Sequence, residues 1–162
     1  MTRQFIIFVQ VLSRAGGVLS ALLLIFAMLV ICQMILVRYV FQLSTTWQTD
    51  AIVLAATASF FIGAPYVLLT KGHVGVDFIQ MVVRPKVRDR LELIGSLCGL
   101  LFCLIMSIAT AIHLQEAIVG GWTTPSLVPI PLWAPLSPML AGFVLLSLQY
   151  CAQLIESTGR PS

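Results

Sequence analysis

The sequence predicts an all-α integral membrane protein, with four transmembrane helices and a short interfacial segment between the second and the third. Of its 162 residues, 59% are hydrophobic and only 9% are charged, and the mean hydropathy is +1.03. An average soluble domain is about 25% charged. The charged residues also bound long uncharged stretches, and a helix of about 20 apolar residues crosses the hydrocarbon core of a bilayer.

The four spans are predicted over 15–37, 51–70, 93–115 and 133–155. The first lies between Arg14 and Arg38, and its apolar run exceeds the roughly 7–15 residues of a secretion-signal core, so we expect a retained helix. Phe78–Val83 is apolar but too short to cross, which favours an interfacial position. Pro85 suits the first turn of the third helix, because its missing N–H costs nothing there. Little remains for a soluble domain, so 1–162 is predicted to be a single membrane domain.

Orientation follows from the basic residues, which concentrate on the cytoplasmic side of spans. With both termini cytoplasmic, only Arg38 falls outside, and eight residues fall inside: Arg3, Arg14, Lys71, Arg84, Lys86, Arg88, Arg90 and Arg160. The three tryptophans, Trp47, Trp122 and Trp133, then lie near the outer interface, where indoles anchor helices. The net charge of +3 indicates contact with anionic membrane lipids. Nucleic-acid binding is disfavoured, because the basic cluster is short and lies between two spans.

Small residues recur at four-residue spacing in two spans, and such rows let membrane helices approach closely. In the second span they are Ala51, Ala55, Ser59 and Gly63. In the third they are Gly95, Gly99, Cys103, Ser107 and Ala111. Both spans are therefore predicted to have a helix-packing face.

Catalytic, metal-binding and cofactor-binding sites are not predicted. The four cysteines lie within spans and form no C-x-x-C pair, which disfavours redox exchange and metal binding. His73 and His113 fall on opposite sides of the membrane, so they cannot hold a haem together. No carboxylate lies inside a span, although carriers coupled to protons or cations are expected to hold one there.

Two sequence clusters are not explained by general membrane rules. Arg38-Tyr39-Val40-Phe41 closes the first span, and Trp47-Gln48-Thr49-Asp50 opens the second. Arg38 and Asp50 either pair across this connection or act separately, as a snorkelling arginine and an N-terminal helix acid. Further motifs follow at the end of the second span and in the next turn: Gly63, Tyr66, Gly72, His73, Val74 and Asp77.

Together, these motifs resemble the small membrane subunit (DctQ-like, or Q-type) of tripartite ATP-independent periplasmic (TRAP) transporters. The resemblance implies a location in the bacterial inner membrane and a static scaffold role. It further implies a large multi-span membrane subunit that carries substrate and sodium sites, and a periplasmic binding protein that delivers an organic anion such as a carboxylate. It places Arg38, Tyr39, Phe41, Trp47 and Asp50 at the outer face or a subunit interface.

Two alternatives remain open. One is a free-standing four-helix exporter of small cationic compounds, and the other is a membrane assembly factor unrelated to transport. An exporter should purify as a homo-oligomer, whereas a transporter subunit should bring a larger partner with it.

Liposomes that contain only this chain are expected to show no uptake of an organic anion, because its spans offer no charged substrate path. Radiolabelled uptake under a sodium gradient measures this. Accumulation above that of empty liposomes would contradict the scaffold interpretation.

Overall fold

The computed structural model describes residues 2–42, 45, 47–70, 85–125 and 129–158, and it forms a helical bundle. The helices are α1 (Thr2–Val40), α2 (Trp47–Leu69), α3 (Pro85–Gly120) and α4 (Trp133–Thr158). Each holds a segment long and apolar enough to cross a membrane: Gln4–Val40, Trp47–Leu69, Leu93–Gly120 and Trp133–Ile155. The predicted all-α fold with four spans is confirmed. The predicted interfacial segment Phe78–Val83 lies outside the described residues.

Helices α1 and α3 extend well beyond the charge-defined spans. Helix α1 begins at Thr2 rather than near residue 15, and the side chain of Arg14 is exposed on its surface. Charges mark where a span leaves hydrocarbon, but an exposed arginine does not interrupt backbone hydrogen bonding, so the helix continues through it. Helix α3 likewise extends past the predicted 93–115 at both ends and begins at Pro85, as predicted.

The helices pack in a chain of neighbours. Helix α2 packs extensively against α1 and α4, and α4 also packs against α3, whereas α1 and α4 touch over a smaller area. In the described part of the chain, α3 has extensive contact with α4 alone. Helix α4 therefore joins α3 to the rest of the bundle.

Glycines allow the close approaches between helices. A Cβ on Gly17 would lie 2.5 Å from Cγ of Tyr66, and one on Gly99 would lie 2.6 Å from Cζ of Tyr150. At Gly142 the obstruction would be the backbone carbonyl oxygen of Phe61, which cannot rotate away. Close packing of this kind is a main source of helix association in lipid, because hydrophobic expulsion does not act there.

Aromatic rings bridge the same helices. The ring centroids of Phe61 in α2 and Phe143 in α4 lie 5.2 Å apart. Phe102 in α3 lies 6.4 Å from Phe143 in an edge-to-face arrangement, a geometry that aromatic quadrupoles favour. Phe143 is buried, so this aromatic row connects the three helices through α4.

Replacing Gly142 with Leu is expected to lower the unfolding midpoint of the purified protein in detergent by about 5 °C. Overpacking costs about 1–3 kcal/mol, and 1 kcal/mol corresponds to about 2–4 °C in a chain of this size. Gly95→Leu is the matched control, because no atom lies within 4 Å of a Cβ built there. Equal midpoints for the two variants would show that the α2–α4 contact does not stabilise the fold.

Candidate functional site

The predicted outer-face cluster lies where α1 ends and α2 begins; we call this side of the bundle the Arg38 end. Helix α1 stops at Val40, and the Phe41 N–H still donates to the Val37 carbonyl at 3.2 Å. Gln42 then adopts a positive φ of 51°, a left-handed conformation that ends the helical path. The chain thus turns within two residues of the helix end.

The side chains of this cluster point away from the bundle. Tyr39 is 79% exposed, Phe41 is 66% exposed and Arg38 is also exposed. Trp47, the first residue of α2, is 51% exposed. These groups make little contact within the chain, so the cluster is available to lipid headgroups or to another protein.

Arg38 and Asp50 do not form an ion pair. Within the described ranges, the only oppositely charged side chains within 4.0 Å are His113 and Glu116. Asp50 lies in the first turn of α2, where a carboxylate interacts favourably with the helix dipole. The structure therefore does not show the pair, and separate roles for the two side chains stay a prediction.

Two polar residues beside the cluster are buried, which sequence patterns did not indicate. Thr45 is 7% exposed and Gln48 is 5% exposed. Thr45 Oγ1 and Gln48 Oε1 have no hydrogen-bond partner in the part of the chain that is described. An unsatisfied buried polar atom costs about 1–3 kcal/mol. The surrounding sequence is as polar as an exposed turn, so only the structure reveals this burial.

The connection between α3 and α4 completes the Arg38 end. Gly121 has a φ of 60°, the Trp122 N–H donates to the Ala117 carbonyl at 3.1 Å, and the Leu132 N–H donates to the Trp122 carbonyl at 2.9 Å. The Trp122 ring stands 5.9 Å from that of His113, centre to centre. His113 Nδ1 lies 3.7 Å from Glu116 Oε2, with both side chains about half exposed. All three tryptophans therefore lie at this end of the bundle.

Several polar groups inside the bundle are paired across helices. Ser59 in α2 donates to the Ser20 carbonyl in α1 at 2.9 Å, and the two hydroxyl oxygens also lie 2.9 Å apart. Ser13 in α1 donates to Gln149 Oε1 in α4 at 2.9 Å. Nothing in the sequence spacing predicted the second pair, because its partners are far apart in the chain.

Chemistry-bearing clusters are absent from the described residues. No group of three or more His, Cys, Asp or Glu side chains there could hold a metal ion. The four cysteines are free: Cys32, Cys98, Cys103 and Cys151. The arrangement offers helix-packing faces and an exposed end, with no group of side chains suited to bond making or breaking among the residues described.

The remaining predicted residues fall in three places. Gly63 and Tyr66 lie within α2 against α1, where a Cβ on Gly63 would meet Ser20 Oγ at 2.5 Å and Tyr66 covers Gly17. Ala55, Ser59 and Cys103 are buried, and Ser107 donates to the Cys103 carbonyl of its own helix. Gly99 contacts Tyr150, whereas no atom lies within 4 Å of a Cβ built on Gly95. The predicted turn residues Gly72, His73, Val74 and Asp77 lie outside the described residues.

These features define a small multi-pass membrane protein, with a helical bundle that contacts lipid or protein partners and an exposed aromatic and charged end. Over residues 27–160 the chain matches the family described as "Tripartite ATP-independent periplasmic transporters, DctQ component". It belongs to this family and is a TRAP transporter small membrane subunit, a transporter component rather than an enzyme. No curated protein matches the chain, nor does any solved structure.

Changing Arg38 to Ala is expected to reduce assembly with the large subunit, or uptake by the assembled transporter, by about tenfold. That is the effect of losing about 1.4 kcal/mol at an interface. The isolated chain should keep its unfolding midpoint, because Arg38 is exposed and makes no ion pair with Asp50. Arg38→Lys, which keeps the charge, is the control. Normal assembly and uptake in Arg38→Ala would remove Arg38 from the functional surface.

Proposed function

We propose that this chain is the static scaffold subunit of a sodium-coupled TRAP transporter that imports an organic anion such as a carboxylate. In this proposal it braces the large membrane subunit and helps to dock the periplasmic binding protein. It has no transport site of its own. Sodium binding and substrate binding belong to the large subunit.

The observation that carries the scaffold role is the packing of α3. Within the described chain, α3 packs extensively against α4 alone. Its other faces are apolar and exposed: Leu97, Leu101, Ile105, Ile108 and Ile112 are each between 55% and 62% exposed. Membrane helices gain stability from close contacts with other helices. A helix with a single neighbour therefore has faces free for the large subunit.

The polar content of the bundle supports the absence of a transport path. The interhelical hydrogen bonds Ser20–Ser59 and Ser13–Gln149 use these polar groups for structure. The ionisable side chain of Arg14 is exposed on the surface of α1 and does not point into the bundle. A carrier is expected to place ionisable groups inside its bundle to bind ions or substrate.

The docking role is supported by the Arg38 end. Tyr39, Phe41 and Trp47 are more than half exposed there, and aromatic residues are enriched in protein interfaces. Tryptophans also favour the membrane–water boundary. The distribution of basic residues along the sequence puts this end outside and both termini in the cytoplasm. The Arg38 end would then face the periplasmic binding protein.

Copurification and uptake test the proposal together. A tagged copy of this chain, expressed with its large subunit and periplasmic binding protein, should isolate with the large subunit. Vesicles holding both membrane subunits should accumulate an organic anion only when sodium and the binding protein are outside. Vesicles lacking this chain should lose uptake, and a potassium gradient of the same size is the control. Isolation as a homo-oligomer, or uptake by the large subunit alone, would contradict the proposal.

A further inference from the structure

A lateral groove of about 480 Å³ lies where α1, α2 and α4 meet. Its volume falls in the range of ligand sites, about 300–1,000 Å³. One face of α2 contributes four residues: Ala56, Phe60, Ala64 and Val67. Phe60 is 74% exposed and Val67 is 45% exposed, so the groove is open at the protein surface.

The groove offers an occupant almost no polar partner. Its two serines, Ser20 and Ser59, already bond to each other. The single Ser59 hydroxyl proton goes to the Ser20 carbonyl, so the Ser20 hydroxyl donates to Ser59 Oγ. Both hydroxyl protons are thus used within the protein. Apart from the Tyr150 hydroxyl, the remaining lining is apolar, which favours a hydrocarbon occupant.

The length of the groove corresponds to one membrane leaflet. From Ala56 to Val67, α2 rises about 16 Å at about 1.5 Å per residue. Half of a hydrocarbon core about 30 Å thick is about 15 Å. Helix α2 runs from Trp47 to Leu69, so the groove lies along its second half. It extends from the middle of the span to the end opposite the Arg38 end.

Arg14 provides a positive charge at the level of the groove end that lies nearest the membrane surface. Arg14 is exposed. It lies on the same side of α1 as Gly17, three residues further along, and Leu24, another seven residues along, because steps of three and four residues follow one side of a helix. Leu24 lines the groove, and Gly17 packs against Tyr66 near the end of α2. Arg14, one turn further along α1, is therefore level with the last turn of α2.

We propose that this groove binds a phospholipid, with one acyl chain along α2 and the phosphate at Arg14. Under the orientation proposed above, this is a lipid of the cytoplasmic leaflet. Charge complementarity and leaflet depth both favour this occupant. Arginine pairs well with phosphate oxygens. The small side chains of Ser20, Ser59 and Ala56 leave a surface against which an acyl chain can lie.

Photolabelling of the assembled transporter tests the proposal. The protein is reconstituted with its large subunit into phosphatidylglycerol vesicles in which one acyl chain ends in a diazirine, and adducts are mapped by mass spectrometry. Adducts should concentrate near Ala56 and Phe60, at the deep end of the groove, and exceed those on Leu22 of α1, which is 57% exposed and does not line the groove. This readout does not depend on uptake, so failure of the transport proposal is distinguishable from failure of this one.

Filling the groove should displace the lipid. Ala64→Phe is expected to lower groove adducts by about tenfold, which corresponds to losing the burial of about two methylene groups. Ala141→Phe, at an exposed position on α4 that does not line the groove, is the matched control and should leave groove adducts unchanged. Phe60→Ala is a second groove variant that cannot overpack the fold, and it should also lower them.

The phosphate contact has its own pair of variants. Arg14→Gln should lower groove labelling by phosphatidylglycerol several-fold, whereas Arg14→Lys, which keeps the positive charge, should largely retain it. A diazirine-bearing diacylglycerol, which lacks the phosphate, should label both variants and the unchanged chain equally. Equal sensitivity of the two probes to Arg14→Gln would overturn the phosphate assignment.

Two outcomes would overturn the proposal as a whole. Equal labelling of the groove and of the exposed α1 residue Leu22 would mean ordinary contact with bulk lipid. Groove labelling of the isolated chain that disappears in the complete transporter would mean that a helix of the large subunit occupies the groove.

Discussion

The structure depends on close approach between helix backbones in a solvent that gives helices no hydrophobic reason to associate. In lipid, backbone polar groups are satisfied within each helix, so the fold must come from contacts between helix surfaces. The chain supplies these contacts at glycines and serines. The seam between α1 and α2 joins Gly17 to Tyr66 and Ser20 to Ser59, and the seam between α2 and α4 joins Gly142 to Phe61. Larger side chains at these positions would separate the helices.

Much of the fold was predictable because membrane insertion imposes simple rules on composition and length. Four spans follow from the uncharged stretches, and Pro85 marks the start of α3 as expected from its missing N–H. The true start of α1 was not predictable from charge, because Arg14 lies on an exposed helix surface and does not end the helix. The row of small residues in α3 likewise predicted only part of the packing of that helix. It identified Gly99, which contacts Tyr150, but it could not show that a Cβ built on Gly95 would have no atom within 4 Å.

The candidate site was predictable only at the level of motifs. Arg38, Tyr39, Phe41, Trp47 and Asp50 were singled out as a cluster, and the structure shows which of them point outward. The burial of Thr45 and Gln48 was not foreseeable, because it depends on how the turn packs against the bundle. The Ser13–Gln149 hydrogen bond was not predictable from the sequence either. It joins residues that are distant in sequence, and a lone polar residue within a span does not reveal its partner.

The position of α4 in the bundle has a consequence for how the chain is made. Helices α1 and α2 are adjacent in sequence and pack extensively, so they can associate as a hairpin soon after they are inserted. Helix α3 is synthesised before α4, which is its one extensive neighbour in the described chain. It therefore stays in lipid without this neighbour until α4 is inserted. Insertion of α4 then joins two separate parts in one step, so the final quarter of the polypeptide determines when the protein first acquires its native arrangement.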